Sequence, residues 1–164
     1  MKYLIMFLAA LFLVSCSQNE KVDRLSAKVD SLSSELKQIK ENYKPGLGEL
    51  MSVVQIHHAK LWFAGINGNW KLAEFETREI NEVLRNANKI EIDRPEAKNI
   101  PMIYPEIDSV SNAVKEKSID KFISSFKLLT KTCNDCHKEN GFGFNVITLP
   151  TGQPVTNQDF KPGQ

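Results

Sequence analysis

The chain has 164 residues, 41% hydrophobic and 25% charged, with 21 basic and 20 acidic side chains. A formal net charge of +1 offers no basic field for nucleic acid or for an acidic partner surface. The length suits one small domain plus an appendage, and the apolar content suffices for one core.

Met1, Lys2 and Tyr3 lead into the apolar run Leu4 to Val14. The run is too short to span a bilayer as a stable anchor and it follows a basic residue, which is the pattern of a secretory signal. It ends in Leu13-Val14-Ser15-Cys16. A small residue before a cysteine that closes the apolar run resembles the lipobox of bacterial lipoproteins. The resemblance implies that residues 1–15 are a signal peptide, cut off before Cys16, and that Cys16 then carries diacylglycerol and an N-acyl chain. Several acyl chains on one residue would hold the protein at a membrane without a transmembrane helix. Ser17, in place of Asp, follows the cysteine and by the same resemblance implies the periplasmic face of the outer membrane. The plainer alternative is an ordinary signal peptide that happens to contain a cysteine. Loss of Lys2 with the signal takes the 21 basic residues to 20, equal to the 20 acidic ones.

Residues 16–44 follow as an expected stalk. Val22, Leu25, Val29, Leu32, Leu36, Ile39 and Tyr43 alternate spacings of three and four, an unbroken heptad stripe with β-branched residues or Leu at a and mostly Leu at d. Glu35 at g and Lys40 at the next e are placed for an interhelical ion pair. Two apolar positions in seven make a narrow stripe, better suited to a coiled-coil seam than to a buried helix. Two readings remain open: a homo-oligomer through residues 20–43, or a single helix acting as a spacer or folded back on the domain. A helix over Glu20 to Tyr43 would reach about 36 Å.

Pro45-Gly46 breaks the helix and marks the domain boundary. Leu47, Leu50, Met51, Val54, His58, Leu61 and Trp62 then trace one helical face ending near Gly65. Asn67-Gly68 makes a turn, and Asn69 can cap a helix from about Trp70 to Asn88, with Trp70, Ala73, Ile80, Leu84 and Ala87 inward. A loop with Pro95 and Pro101 follows. Pro105 opens a third helix with Ile107, Val110 and Val114 inward. Ser118 caps a fourth, whose stripe is Ile119, Phe122, Phe126, Leu129, Cys133 and then Cys136-His137, and Asn140-Gly141 ends it. Residues 141–164, rich in Gly, Pro, Asn and Gln, read as an irregular, extended tail. No strand pair or repeat stands out. The fold class is therefore all-α, with residues 45–140 as a four-helix bundle behind the heptad helix.

The chemistry concentrates in "CNDCH", residues 133 to 137. Cys-x-x-Cys-His is the attachment signal for c-type haem: two thiols at that spacing reach the two vinyl groups of one porphyrin, and the next residue offers imidazole to the iron. The second ring nitrogen of that histidine can be held by a carbonyl. A zinc site would need further ligands, and beyond Cys16 the chain offers only His57 and His58. A thioredoxin-like pair would need a strand ahead of the motif. A structural disulfide across two residues constrains little. With Cys16 acylated and Cys133 and Cys136 joined to one haem, none of the 3 cysteines is left over.

A helical bundle with one CxxCH on its last helix resembles cytochrome c prime and its low-spin relatives among the class II c-type cytochromes. The stretches "LGELMSVVQIHHAKLWFAGINGNWKLAEFETREINE", "CNDCHKENGFGFNVITLP" and "TNQDF" are also similar to small exported bacterial proteins described only as cytochrome c. The resemblance covers about residues 46 to 162. It implies haem between the first and last helices of the bundle, His137 as proximal ligand and a first-helix residue on the distal side. The tail of more than twenty residues after the motif departs from that pattern.

On the first helix, Met51 and His58 lie about 20° apart around the axis and about 10 Å apart along it, so one iron takes only one of them. Met51 is the first candidate for sixth ligand, being nearer the end that carries His137. His58 is the second, or else a propionate contact. His57 points about 120° away and outward. Trp62, Phe63 and Trp70 read as packing around the porphyrin rather than as electron relays. The expected function is electron transfer by a membrane-tethered monohaem cytochrome, an electron carrier and not an enzyme, meeting redox partner proteins in the periplasm. The alternative is a five-coordinate gas-binding haem protein of the cytochrome c prime kind; a stalk whose CxxCH binds nothing is the third.

Overall fold

In the computed structural model, residues 2–42, 45–90 and 94–163 are described, with side chains from residue 20 onward. The lipidation expected at Cys16 and the expected signal segment 1–15 fall where no side chain is described, and the last heptad position, Tyr43, lies outside the described residues. The chain is all-α: helices α1 (Lys2–Asn42), α2 (Leu47–Ile66), α3 (Trp70–Ile90), α4 (Tyr104–Lys115) and α5 (Ile119–Glu139), with a 3-10 segment at Pro95–Ile103 and no strand among the described residues. It divides into two units, Met1–Lys44 and Pro45–Gln164.

The first unit is α1. Its apolar stripe from Val22 to Ile39 is exposed at every position, and among the described residues no helix is long and apolar enough to cross a membrane.

In the second unit, helix ends follow local chemistry. Gly68 turns the chain between α2 and α3 at φ 70°, a conformation that glycine adopts without strain. Asn69 Oδ1 then accepts from the Leu72 amide at 3.2 Å and caps α3. Pro105 sits in the first turn of α4. Ser118 Oγ accepts from the Lys121 amide at 3.4 Å at the start of α5.

Helix α2 packs along α3 and α4 along α5, with α3 on α4 and α2 on α5. The core of this unit is built from Leu61, Ala64, Ala73, Ile80, Leu84, Val110, Phe122, Phe126 and Leu129, among others. Gly65 sets the approach of α2 to α5: a Cβ there would lie 2.1 Å from the Phe122 ring. Ile119, placed inward by its spacing, is exposed in the first turn of α5.

Two stretches that sequence pattern left as connections are structured. Ala97, Ile100 and Ile103 recur every three residues and are all buried. A 3-10 helix has three residues per turn, so that spacing keeps one face on the core. The segment touches α3, α4 and α5. The C-terminal segment also folds back: Phe160 is buried against Phe63, ring centroids 5.7 Å apart, and Asn69 Nδ2 donates to the Lys161 carbonyl at 2.9 Å.

Candidate functional site

The end of α5 and the first three turns of α2 face a common cavity of about 310 Å³. Cys133, Cys136 and His137 come to it from α5, Met51 and His58 from α2. Leu47, Val54, Leu84, Ile100 and Ile103 make much of its wall apolar, while Arg94, Glu96 and Asn140 supply polar groups. All five residues singled out from the sequence as haem-site candidates therefore share one space.

Their local states differ. The two thiols form no disulfide. Cys133 keeps some accessible surface, yet burial of its thiol and the neighbouring Cys136 push its pKa up to about 12. Cys136 is also raised, by burial and then by Glu139. Both sulfurs are thus held as protonated thiols, the opposite of the lowered pKa that marks redox-exchange cysteines.

His137 Nδ1 lies 2.6 Å from the Asn145 carbonyl oxygen. A carbonyl only accepts, so Nδ1 carries a proton, and in the neutral ring Nε2 is the nitrogen with a lone pair for a ligand or metal. His58 is buried, and burial alone lowers its pKa to about 4. Its Nε2 is 2.9 Å from Thr130 Oγ1. The Thr130 hydroxyl donates its one proton to the Phe126 carbonyl at 2.9 Å, so it accepts from His58 Nε2–H. His58 is therefore neutral and anchored, with its ring 4.4 Å from that of Phe126. Met51 is half-buried and makes no such commitment.

His57 does not point outward as its helical angle suggested. Its Nδ1 lies 2.6 Å from Oε2 of Glu76, whose side chain is only 1% exposed. A buried carboxylate needs a partner, and α3 runs beside α2 on that side. Trp62, Phe63 and Trp70 are likewise not among the residues lining the cavity. Trp62 packs on Phe126 at 5.1 Å, Trp70 stands edge-on to Phe122 at 6.4 Å, and Phe63 meets Phe160.

Several polar residues at or beside the cavity were not singled out as site residues from the sequence. Asn140 Nδ2 donates to the Cys136 carbonyl at 2.7 Å, and Asn140 Oδ1 accepts from Asn99 Nδ2 at 2.9 Å, tying the 3-10 segment to the end of α5. Arg94 pairs with Glu96 Oε1 at 3.3 Å, while Glu96 Oε2 is closed off from solvent without a partner. Asn134 bonds the backbone of Ile147 in both directions. Among the described residues no three His, Cys, Asp or Glu side chains gather as a site for a bare metal ion. The thiols of Cys133 and Cys136, the imidazole of His137 and the thioether of Met51 line the cavity beside its apolar wall. No protein-family model, curated protein or solved structure matches the chain.

Proposed function

We propose that this chain is a membrane-tethered monohaem c-type cytochrome that carries electrons in the periplasm. The observation that carries the reading is the shared cavity: both thiols and the imidazole of CNDCH face the same space as a thioether and an imidazole from α2. Cys133 and Cys136 would hold one haem c through thioethers. His137 would give Nε2 to the iron as proximal ligand, its Nδ1–H already engaged by the Asn145 carbonyl. Haem bound there supplies the Fe(III)/Fe(II) couple.

Met51 is the sixth ligand in this reading. His58 commits Nε2–H to Thr130 Oγ1, which anchors the ring and leaves only Nδ1 with a free lone pair, whereas Met51 is bound by no such contact. His58 then remains a propionate contact or a wall of the site. The four helices α2 to α5 would form a bundle of the class II kind, with residues 45–140 as the haem domain and 141–164 as a tail packed back on it. Residues 16–44 would be the stalk, anchored by lipid on Cys16 at the periplasmic face of the outer membrane, with the heptad stripe of residues 20–43 available to a second copy. Redox partner proteins would be met from that surface.

The apolar wall of Leu47, Val54, Leu84, Ile100 and Ile103 favours a second reading. If no side chain reaches the iron's far face, the protein is a five-coordinate gas-binding haem protein. One preparation of holoprotein separates the readings. Covalent haem stays with the polypeptide in acid and detergent; colour that extracts into organic solvent rules attachment out. Low-spin bands in the reduced and oxidised spectra mark the electron carrier, and Met51→Ala should then abolish the weak sulfur-to-iron band. High-spin bands that shift with added gas mark the second reading. Cys16→Ser should move the haem protein to the soluble fraction without changing its spectrum; continued fractionation with membranes would rule out lipid as the anchor.

A further inference from the structure

We propose that Asn134, the residue after the first cysteine of CNDCH, is a positioning residue for His137: it clamps the segment 141–149 so that the Asn145 carbonyl stays on the imidazole. The inference rests on the cytochrome reading for its consequence at the iron, and on hydrogen bonds alone for the clamp.

The segment starts where α5 stops. The Gly141 amide donates to the Lys138 carbonyl at 3.2 Å and the Phe142 amide to the His137 carbonyl at 2.7 Å. Gly141 has φ 81°. This paired closure with glycine in the left-handed region reverses the chain at a helix end. The Asn145 amide then donates to the Phe142 carbonyl at 2.8 Å. The two turns bring the Asn145 carbonyl to 2.6 Å from His137 Nδ1.

Side-chain burial holds this stretch only at its far end, where Ile147 is half-buried and Leu149 packs against the core. Phe142, Phe144 and Val146 are 36%, 82% and 64% exposed. The side-chain hydrogen bonds that fasten it ahead of Leu149 come from the Asn134 carboxamide. Asn134 Oδ1 accepts from the Ile147 amide at 2.7 Å, and Asn134 Nδ2 donates to the Ile147 carbonyl at 2.8 Å. One side chain thereby satisfies both backbone groups of one residue, as a neighbouring strand would. Asp lacks the donor, Ser has a single oxygen, and Gln is a methylene longer, so the exchange suits Asn. Asn is otherwise a weak residue for a helix interior. Asn134 and His137 are three apart on α5 and share a face, so a segment fastened at one is held across the other.

The consequence follows from what the carbonyl does. An acceptor on Nδ1–H fixes the tautomer that presents Nε2, holds the ring in one orientation and raises its basicity. A more basic axial ligand favours the oxidised iron, so loosening the segment should raise the midpoint potential.

Full-length holoprotein tests this with three uncharged substitutions. Asn134→Leu keeps the shape and removes both hydrogen bonds; Asn134→Ala removes them with a good helix former, should the larger side chain not be accommodated. Thr132→Ala, next to the motif and outside the clamp, is the control. Backbone hydrogen exchange at Ile147 should quicken roughly tenfold or more in both Asn134 variants, since two hydrogen bonds are lost, and the midpoint potential should shift upward. Thr132→Ala should change neither. Faster exchange with an unchanged potential would overturn the positioning role, and unchanged exchange would overturn the clamp itself. Wild-type protein purified without covalent haem would sink the cytochrome reading instead. Exchange at Ile147 and the ring-nitrogen chemical shifts of His137 would then decide the clamp and its effect on the imidazole without any iron.

Discussion

Helices α1 and α5 both carry a regular apolar stripe, and the structure treats the two in opposite ways. On α1, Val22, Leu25, Val29, Leu32, Leu36 and Ile39 are 53–64% exposed. On α5, Phe122, Phe126 and Leu129 are at most 1% exposed, and the stripe continues through Cys136 into the cavity. The stripes differ in width and in size of side chain. From Val22 to Ile39 the α1 stripe takes two positions in seven and uses aliphatic residues, with Lys, Asp, Ser and Glu among those between them. The α5 stripe adds buried Ser125 and Thr130 beside two phenylalanines, enough width to be enclosed by α2, α4 and the 3-10 segment. A narrow seam matches the face of one similar helix; a broad aromatic face needs several neighbours.

Truncating each stripe should separate the two helices most widely. Phe126→Ala should cost the Pro45–Gln164 unit about 3–5 kcal/mol. Leu32→Ala should leave unfolding of that unit unchanged while weakening self-association if a second copy covers the seam. Tryptophan fluorescence during denaturant unfolding reports the first effect, because Trp62 and Trp70 both lie in that unit; sedimentation reports the second. An α1 truncation that destabilised the second unit would erase the distinction.

Substitution by alanine should have opposite signs on the two sides. Gly65→Ala places a Cβ 2.1 Å from the Phe122 ring, and overpacking of this kind costs about 3 kcal/mol at the upper end of its usual range. An alanine in place of a small residue on exposed α1, such as Ser34, should be neutral or gain a few tenths of a kcal/mol by helix propensity. Chemical denaturation measures both. A stabilised Gly65→Ala would mean that α2 and α5 separate easily.

Buried His58 also has no counterpart on α1, where every described side chain is exposed. In the unfolded chain its imidazole protonates below the usual 6.5, while in the folded protein burial defers this to about 4. Between those values the unfolded state binds more protons. Stability should therefore fall as pH drops from 6.5 toward 4, by up to about 3 kcal/mol, and be unaffected by this group above 6.5. His58→Gln should flatten that part of the stability–pH curve; an unchanged slope would assign it to other groups.

A modest effect is expected at the cap of α5. Ser118→Ala removes the acceptor of the Lys121 amide and should cost about 1 kcal/mol, seen as a modest drop in the unfolding midpoint. Loss of several times that amount would show that Ser118 also orders the α4–α5 turn, where Lys117 sits at φ 54°.

Much of the helical layout was legible because its signals are local. A helix over about Trp70 to Asn88 was expected and runs Trp70–Ile90; Ser118 starts α5 and Asn140-Gly141 ends it. The 3-10 segment was not legible because two prolines dominate its reading, although Ala97, Ile100 and Ile103 do carry a period of three. His57 was misdirected by an angle counted from Met51, since the position of α3, and so of Glu76, is not encoded in the periodicity of α2. Trp62, Phe63 and Trp70 were assigned to the site on chemistry alone; aromatic packing on α5 takes Trp62 from α2 and Trp70 from α3, and Phe160 takes Phe63.

By itself the sequence determined that the chain is helical, where most helices begin and end, and which chemical groups lie together in CNDCH. These depend on hydrogen bonds four residues apart, on caps, and on adjacency along the chain. Tertiary structure decided which stripe is enclosed, that Met51 and His58 face the motif, and that His137 rests on a carbonyl from the C-terminal segment. His58 meets Thr130 across 72 residues of chain, and Asn134 meets Ile147 only after α5 has ended and the chain has turned back. Contacts of that kind depend on how preformed helices pack and where their ends lead, which no window of neighbouring residues contains.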